Sequence, residues 1–545
     1  MVMNAWKYGM GLLGFLMPLC GLFGQGTSLF FNTYGSSNGG EVVEAVIQAA
    51  DGGLVMVGTS DSYSPGGDED LLMLKTDVNG NVLWAKTYGG SDDDMGLDVK
   101  ETPDGSLIVV GWTKSFGASR YDCWILKTDA GGNVQWQKRI GGNRDDQAWS
   151  VAVDGNAYVV AAGTASFGAG KTDLWLMKLD AAGNILWQKT YGTAGDDAPP
   201  GDYDEYVARA LVDADGHYLI SSTTDGAGHG GDDIYLAKLN PSDGSIIWQY
   251  AYGDSEDESS WAFAVDPAGG YYLPGNFTDP ATYEADLWVV HVDTAGAIQW
   301  QKTFGIASKW DEALNVAALA DGSALLAAYF EENSNDWRSS ALMVDHNGQL
   351  KWARQYRFGN LDWMNAAYPM ADGALAMVGV TTNTQTWDED ITLFKTDTAG
   401  DIPNCNAISA FSPVMTATAT TRQAISLTVN TPTASFHNTN ATVANVTPGK
   451  VNRCAGVMAS VGPSPLAATV QVYPNPTGGR VTIQWTAPHP RVMMICRNAL
   501  GQEVARTFRR HATSADFSIP GPPGLYFLEL YYDDGTAAVL PLVKQ

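Results

Sequence analysis

Six aspartates, Asp70, Asp122, Asp173, Asp233, Asp286 and Asp390, stand at matching places along a chain of 545 residues, each just ahead of a short apolar run. Carboxylates in such numbers could ligate cations, or two of them at a suitable separation could hydrolyse a glycoside as acid and base. Their recurrence argues for a structural role instead. A residue present in nearly every repeat serves the repeat, accepting turn and inter-repeat hydrogen bonds, whereas catalysis needs one asymmetric constellation. Departures from regularity are therefore the better places to look. The largest is the insertion TAGDDAPPGDYDEY at 193–206, whose Asp196, Asp197, Asp202, Asp204 and Glu205 offer clustered oxygens that suit Ca2+. A D-x-D-x-D-G loop is missing, so a solvated acidic rim is the weightier reading and Ca2+ the secondary one. No other cofactor is expected. The seven histidines form no H-E-x-x-H signature, and neither a G-x-S-x-G elbow nor a Walker loop occurs. Trp261, Trp310, Trp337, Trp363 and Trp387 lie outside the regular tryptophan position and could stack on sugar rings, although core packing is the commoner fate of such residues.

The elements that must position these groups are strands. Trp84, Trp136, Trp187, Trp248, Trp300 and Trp352 each close a segment like D-x-x-G-N-x-x-W and open one like Q-K-T-Y-G, at separations of 52, 51, 61, 52 and 52 residues. One unit contains four β-type runs, with Asp-Gly at 51–52, 104–105, 154–155, 215–216, 321–322 and 372–373 marking the first hairpin turn and stretches such as DVNGN at 77–81 the second. Four strands per unit of about 50 residues predict an all-β, seven-bladed β-propeller over residues 28–403. The junction tryptophans are expected to fill the space between neighbouring blades. The seventh unit lacks its fourth strand, and SLFFNTYG at 28–35 aligns with VLWAKTYG at 82–89, placing Phe30 in the tryptophan position. The N-terminal strand is thus expected to complete the last blade and close the ring, removing exposed edges.

Charge divides the chain further. The overall formal charge is −28, yet residues 465–545 carry +2 and residues 404–464 carry +3, so residues 1–403 hold a net −33. Such a surface repels phosphate backbones, which excludes nucleic acid as a partner and favours cations. Residues 404–464 contain no acid and are rich in Thr, Ala and Asn; they read as a linker or a small β-module, the two remaining open. Cys405 and Cys454 bracket this segment and are candidates for a disulfide in an oxidising compartment. Residues 1–24 run from a weakly basic start into a short apolar stretch, the pattern of a cleavable signal peptide, and no later apolar stretch is long enough for a membrane-spanning helix.

Two resemblances add to this reading. Residues 28–403 resemble bacterial exported propeller repeats, with SFGAGKTDLWLMKLDAAGNILW at 166–187 the nearest match; the fourth unit departs by its insertion and the sixth by Arg338 where Asp is expected. Residues 465–545 resemble the type A sorting domain of the type IX (Por) secretion system. Tyr473, Pro474, Asn475 and Pro476 open it, Gly501 lies in its middle turn, Gly524, Leu525 and Tyr526 form its late strand, and Lys544 its terminal one. Alternating strands and Gly/Pro turns there independently suggest a small immunoglobulin-like β-sandwich. The resemblance implies the secretion machinery as a partner and a location at the outer cell surface or outside the cell. For the ring, a non-enzymatic module that binds a glycan or a protein is the leading expectation, and an exported polysaccharide hydrolase using loop carboxylates the alternative.

Overall fold

In the computed structural model, residues 28–544 are described apart from 37–38, 65–67, 118–119, 199–207, 279–284, 307–308, 334–335, 358–360, 383–388, 419, 425–427, 431, 433, 435–436, 440, 453–469, 474–476, 499–502 and 533–536. The expected signal peptide lies outside the described residues. Every regular element described is a strand, and the chain divides into two units, Met1–Cys454 and Ala455–Gln545.

The first unit is a propeller-like array of seven antiparallel sheets. Sheet 2 is typical, with Asp94–Glu101, Leu107–Thr113, Asp122–Thr128 and Val134–Ile140 in simple meander order. Sheets 1, 3, 4, 5 and 6 repeat it from Glu41, Asp146, Arg209, Glu258 and Asp311 respectively. Sheet 7 combines Leu361–Pro369, Leu375–Thr382 and Glu389–Thr396 with the N-terminal strand Phe30–Gly35, which pairs with the strand at 389–396. Its apolar side chains share one core with those of sheet 1, as Ala376 and Leu393 do with Met56 and Leu72.

The strands of sheet 2 show why this sequence packs face to face. The middle strands, LIVVGWT and DCWILKT, are buried along their whole length, because neighbouring sheets cover both faces. The second-strand glycine has a specific cause. At Gly58, Gly111 and Gly379 a side chain would strike the backbone of a bulge in the first strand, between Val43 and Ala45, Gly96 and Asp98, or Met364 and Ala366.

Within the segment 404–464, read from sequence as a linker or a small β-module, the described residues 404–452 contain seven short strands. They form a belt. Ile408–Ala410, Val414–Ala417, Thr421–Ala424, Thr428–Asn430, His437–Asn438, Thr442–Asn445 and Gly449–Asn452 each add a fifth, antiparallel strand to one sheet, in the order 6, 5, 4, 3, 2, 1, 7. Each pairs with the fourth strand, the outer edge of its sheet. The lack of acids now has a physical reason: Arg422 lies 4.0 Å from the Tyr250 ring centre and donates to the Ala295 carbonyl, and Lys450 donates to Asn81, both beside Asp-bearing turns of the acidic ring. Cys405, at the start of the belt, is disulfide-bonded, and Cys454 lies outside the described residues.

The second unit is one five-stranded sheet, Val470–Tyr473, Arg480–Asn498, Glu503–Ser518, Gly524–Tyr532 and Ala537–Lys544. The two long strands lose register between Gln484 and His489. Val481 and Ile483 before that break share a core with Val492 and Met494 after it, so the sheet folds over on itself. By hydrogen bonding it is a single bent sheet rather than two separate ones.

Candidate functional site

The recurring aromatic residues tie each sheet to the next. The half-buried junction tryptophans lie over the glycine of the neighbouring sheet's second hairpin turn: Trp84 over Gly132, Trp136 over Gly183, Trp187 over Gly244, Trp300 over Gly348 and Trp352 over Gly400. Phe30 takes the same place over Gly80. Trp248 packs in the core shared by sheets 4 and 5. Several indoles also donate across the gap, Trp136 to the Ala181 carbonyl (3.2 Å) and Trp352 to that of Thr398 (3.0 Å). A second set of aromatics reinforces them. Tyr34, Tyr88, Tyr191, Tyr252 and Tyr356 each donate a hydroxyl proton to the same turn glycine's carbonyl, at 2.6–2.8 Å. The recurrent Q-K-T-Y-G motif carried this signal.

At the opposite ends of the strands, the recurring aspartates meet a second ring of acids, of which the sequence reading singles out only Asp197, as a Ca2+ candidate. Glu41, Asp94, Asp146, Asp197, Glu258, Asp311 and Asp362 lie at or before the starts of the first strands and are essentially fully buried. All but Asp362 face the third-strand acid of the preceding sheet, in three cases across a glycine at the end of the fourth strand: Asp122 and Asp146 flank Gly141, Asp233 and Glu258 flank Gly253, and Asp390 and Glu41 flank Gly35. The inner acids cap the loop between sheets. Asp94 accepts the Gly90 N–H at 2.7 Å, Asp146 that of Gly142 at 2.7 Å, and Glu258 that of Asp254 at 2.8 Å. Burial pushes these carboxyls up, to about 7 for Asp94 and Asp311 and about 9 for Glu258; burial likewise lifts Asp70 and Asp122 to about 6. Asp173 and Asp233 rise for the same first cause. Asp286 and Asp390 are only half-buried. Sheet 6 breaks the pattern, with Arg338 in the aspartate's place, 4.0 Å from Asp362. The glycines are integral to this packing, since a methyl on Gly89 would overlap the Asp70 carboxylate. Gly89→Ala is therefore expected to destabilise the ring by about 1–3 kcal/mol in denaturant unfolding, and an unchanged midpoint would refute the close approach.

The remaining candidates disperse. Asp196 pairs with Lys171 (2.9 Å) and Thr172, while Asp197 turns inward to Thr193 and Thr224 as a member of the buried ring. These two do not converge on one ligand position, and Asp202, Asp204 and Glu205 lie outside the described residues. Trp310 is the exposed member of the irregular tryptophans and donates to Glu312; Trp337 packs edge-on to Tyr329 at 4.9 Å; Trp261 and Trp363 are half-buried, and Trp387 is outside the described residues. Cys123 and Cys496 are buried. In the second unit Lys544 donates to the Ile519 carbonyl (2.9 Å) and Tyr526 to that of Pro522 (2.8 Å). Tyr473 is exposed and donates to Gln484, Leu525 pairs with Val543, Gly524 with Lys544, and Pro474, Asn475, Pro476 and Gly501 lie outside the described residues.

One concavity among the described residues has a mixed polar lining. It lies in sheet 7 where the belt ends on the N-terminal strand, has a volume of about 470 Å3, and is lined by Thr33, Ser36, Tyr63, Asp390 and Thr447 with Gly35 and Gly449. Hydroxyls, one carboxylate and one aromatic ring therefore converge at the seam.

No family model matches the chain. A stretch of 163 residues is 28% identical to the regulatory protein FlaEY of Caulobacter vibrioides; it covers 28% of this chain and 15% of that protein. Among solved structures, the chain is similar to the β-propeller domain of the Trilobed protease from Pyrococcus furiosus (TM-score 0.39, 10% identity, 68% of this chain and 98% of that one). It is also similar to a Dyadobacter fermentans protein of unknown function (0.35, 9%, 68% and 97%) and to the endo-1,5-α-L-arabinanase of Thermotoga petrophila (0.25, 11%, 65% and 98%).

Proposed function

We propose that this chain is an exported protein of the outer cell surface or the medium. Its seven sheets form a seven-bladed β-propeller that serves as a non-enzymatic binding module, and residues 465–545 are a type IX sorting domain. The observation that carries the binding reading is the placement of the buried acids. They are spread evenly around the ring and capped by the loops between sheets, so the repeat itself accounts for the carboxylates on which a hydrolase would have to draw. An asymmetric feature that could take a ligand is the seam cavity, whose size falls in the range of small-ligand sites. Hydroxyls and a carboxylate to meet sugar hydroxyls, with Tyr63 to lie against a ring face, suit a glycan.

The test applies the full chain to a polysaccharide panel, scoring retention and release of reducing ends with and without Ca2+. Retention that weakens at least tenfold in Tyr63→Ala is the expected result. Release abolished by a single Asp or Glu substitution would overturn it in favour of the hydrolase. For the export half, a chain lacking residues 465–545 in a type IX-competent host is expected to stop in the periplasm; normal appearance in the medium would refute the sorting role.

A further inference from the structure

The repeat places an aspartate at the first hairpin turn of every sheet, and in six sheets a lysine neutralises it. The pairs are Asp51–Lys75 (2.5 Å), Asp104–Lys127 (3.1 Å), Asp154–Lys178 (3.2 Å), Asp213–Lys238 (2.6 Å), Asp321–Lys351 (3.1 Å) and Asp372–Lys395 (2.8 Å). Five of these lysines stand five residues after the start of the third-strand motif; Lys351 comes from a fourth strand. Sheet 5 is the exception. The place of the lysine is held by His291, and its aspartate, Asp266, has a fully buried side chain, whereas Asp51, Asp104 and Asp321 are more than half exposed.

A second histidine converges on the same group. One Asp266 oxygen caps its own turn by accepting the Ala268 N–H. The other lies 3.0 Å from His291 Nε2 and 2.9 Å from His346 Nδ1, a residue of the second hairpin turn of sheet 6. All three donor atoms lie within 4.8 Å of one another. The rings are held in place around them: Trp300 stacks on His291 at 5.6 Å and donates to the His346 carbonyl at 2.8 Å, and Tyr272 packs on His291 at 4.6 Å while bonding the Gly322 carbonyl. A comparable grouping of Asp213, Asp215 and His217 keeps its lysine, Lys238, and needs no other cation.

We propose that Asp266, His291 and His346 form a divalent transition-metal site of the Zn2+ class that joins sheets 5 and 6. Two imidazole nitrogens and one carboxylate oxygen are a donor set this metal prefers over Ca2+ or Mg2+. The metal supplies the positive charge that lysine supplies in the other sheets. Tetrahedral ligand atoms about 2.0–2.2 Å from zinc stand roughly 3.4 Å apart, so lengthening both Asp266–histidine separations, now 3.0 and 2.9 Å, by about half an ångström admits the ion. Water would take the fourth position.

The test treats the full-length chain with a chelator, then titrates Zn2+ and Co2+. The expected result is micromolar or tighter 1:1 binding, a tetrahedral Co2+ visible spectrum, and a Tm that rises with metal concentration. His346→Ala should weaken binding at least a hundredfold. His291→Lys should abolish it while restoring the ion pair of the other sheets, so that the variant melts at or above the metal-free parent. Metal binding equal in parent and both variants, or no Tm response of the parent to either metal, would overturn the site and leave a hydrogen-bonded histidine pair.

Discussion

Replacing residues 404–452 with a Gly/Ser linker of equal length is expected to lower the Tm by 10 °C or more and to drive much of the chain into aggregates. Each belt strand covers the outer edge of a sheet, where a row of backbone donors and acceptors would otherwise await another chain. The belt also satisfies buried polar groups: the Trp124 indole donates to Thr439 at 3.2 Å, that of Trp288 to Thr418 at 3.1 Å, and the Gln188 amide to the Pro432 and Ala434 carbonyls. Leaving such groups unpaired costs about 1–3 kcal/mol each. Calorimetry and light scattering check the result. A linker variant that stays monomeric and melts within 2 °C of the parent would mean that the edges need no cover.

The second large effect is an inverted pH dependence. Carboxyls lifted by burial are protonated more readily in the folded chain than in the unfolded one, so their contribution is greatest below the ordinary carboxylate range and is lost as pH rises through the folded values. Those values are about 6 for Asp70 and Asp122, about 7 for Asp94 and Asp311, and about 9 for Glu258. The turn aspartates act oppositely. Their lysine partner in Asp51, and backbone and lysine bonds in Asp321, hold them low, so what they add disappears as pH falls below about 4. The ring should therefore be most stable near pH 4 and lose several kcal/mol on the way to pH 9. Glu258→Gln, which keeps the shape without the charge, should flatten the alkaline limb by a few kcal/mol. Denaturant midpoints from pH 4 to 9 decide it, and a parent whose stability rises toward pH 9 would refute the shared burial of these acids.

Regularity made the ring legible. The tryptophans, the Asp-Gly turns and the third-strand aspartates recur at nearly constant spacing because each does the same job in every sheet. The belt left no comparable trace. Its strands are two to four residues long and pair along one edge, and Val414 and Met415 remain exposed, so no apolar alternation arises. Its signal was compositional: threonine without acids, beside a strongly acidic partner. The inner carboxylates were hidden in plain runs. In SDDD at 91–94 and DSEDE at 254–258 only the last acid, Asp94 or Glu258, is fully buried. The Asp266 cluster brings together single residues 25 and 80 positions apart, and its trace was a histidine standing where lysine recurs.

The strand Phe30–Gly35 leaves the ribosome before any other described element, yet its partners are the strand at 389–396 and the belt's end at 449–452. It must wait for nearly the whole ring to be made. Contacts so distant in sequence form slowly. On the proposed export route that delay is useful, because the last sheet cannot be completed while its second half is still to arrive. The seam is thus a clock as well as a joint.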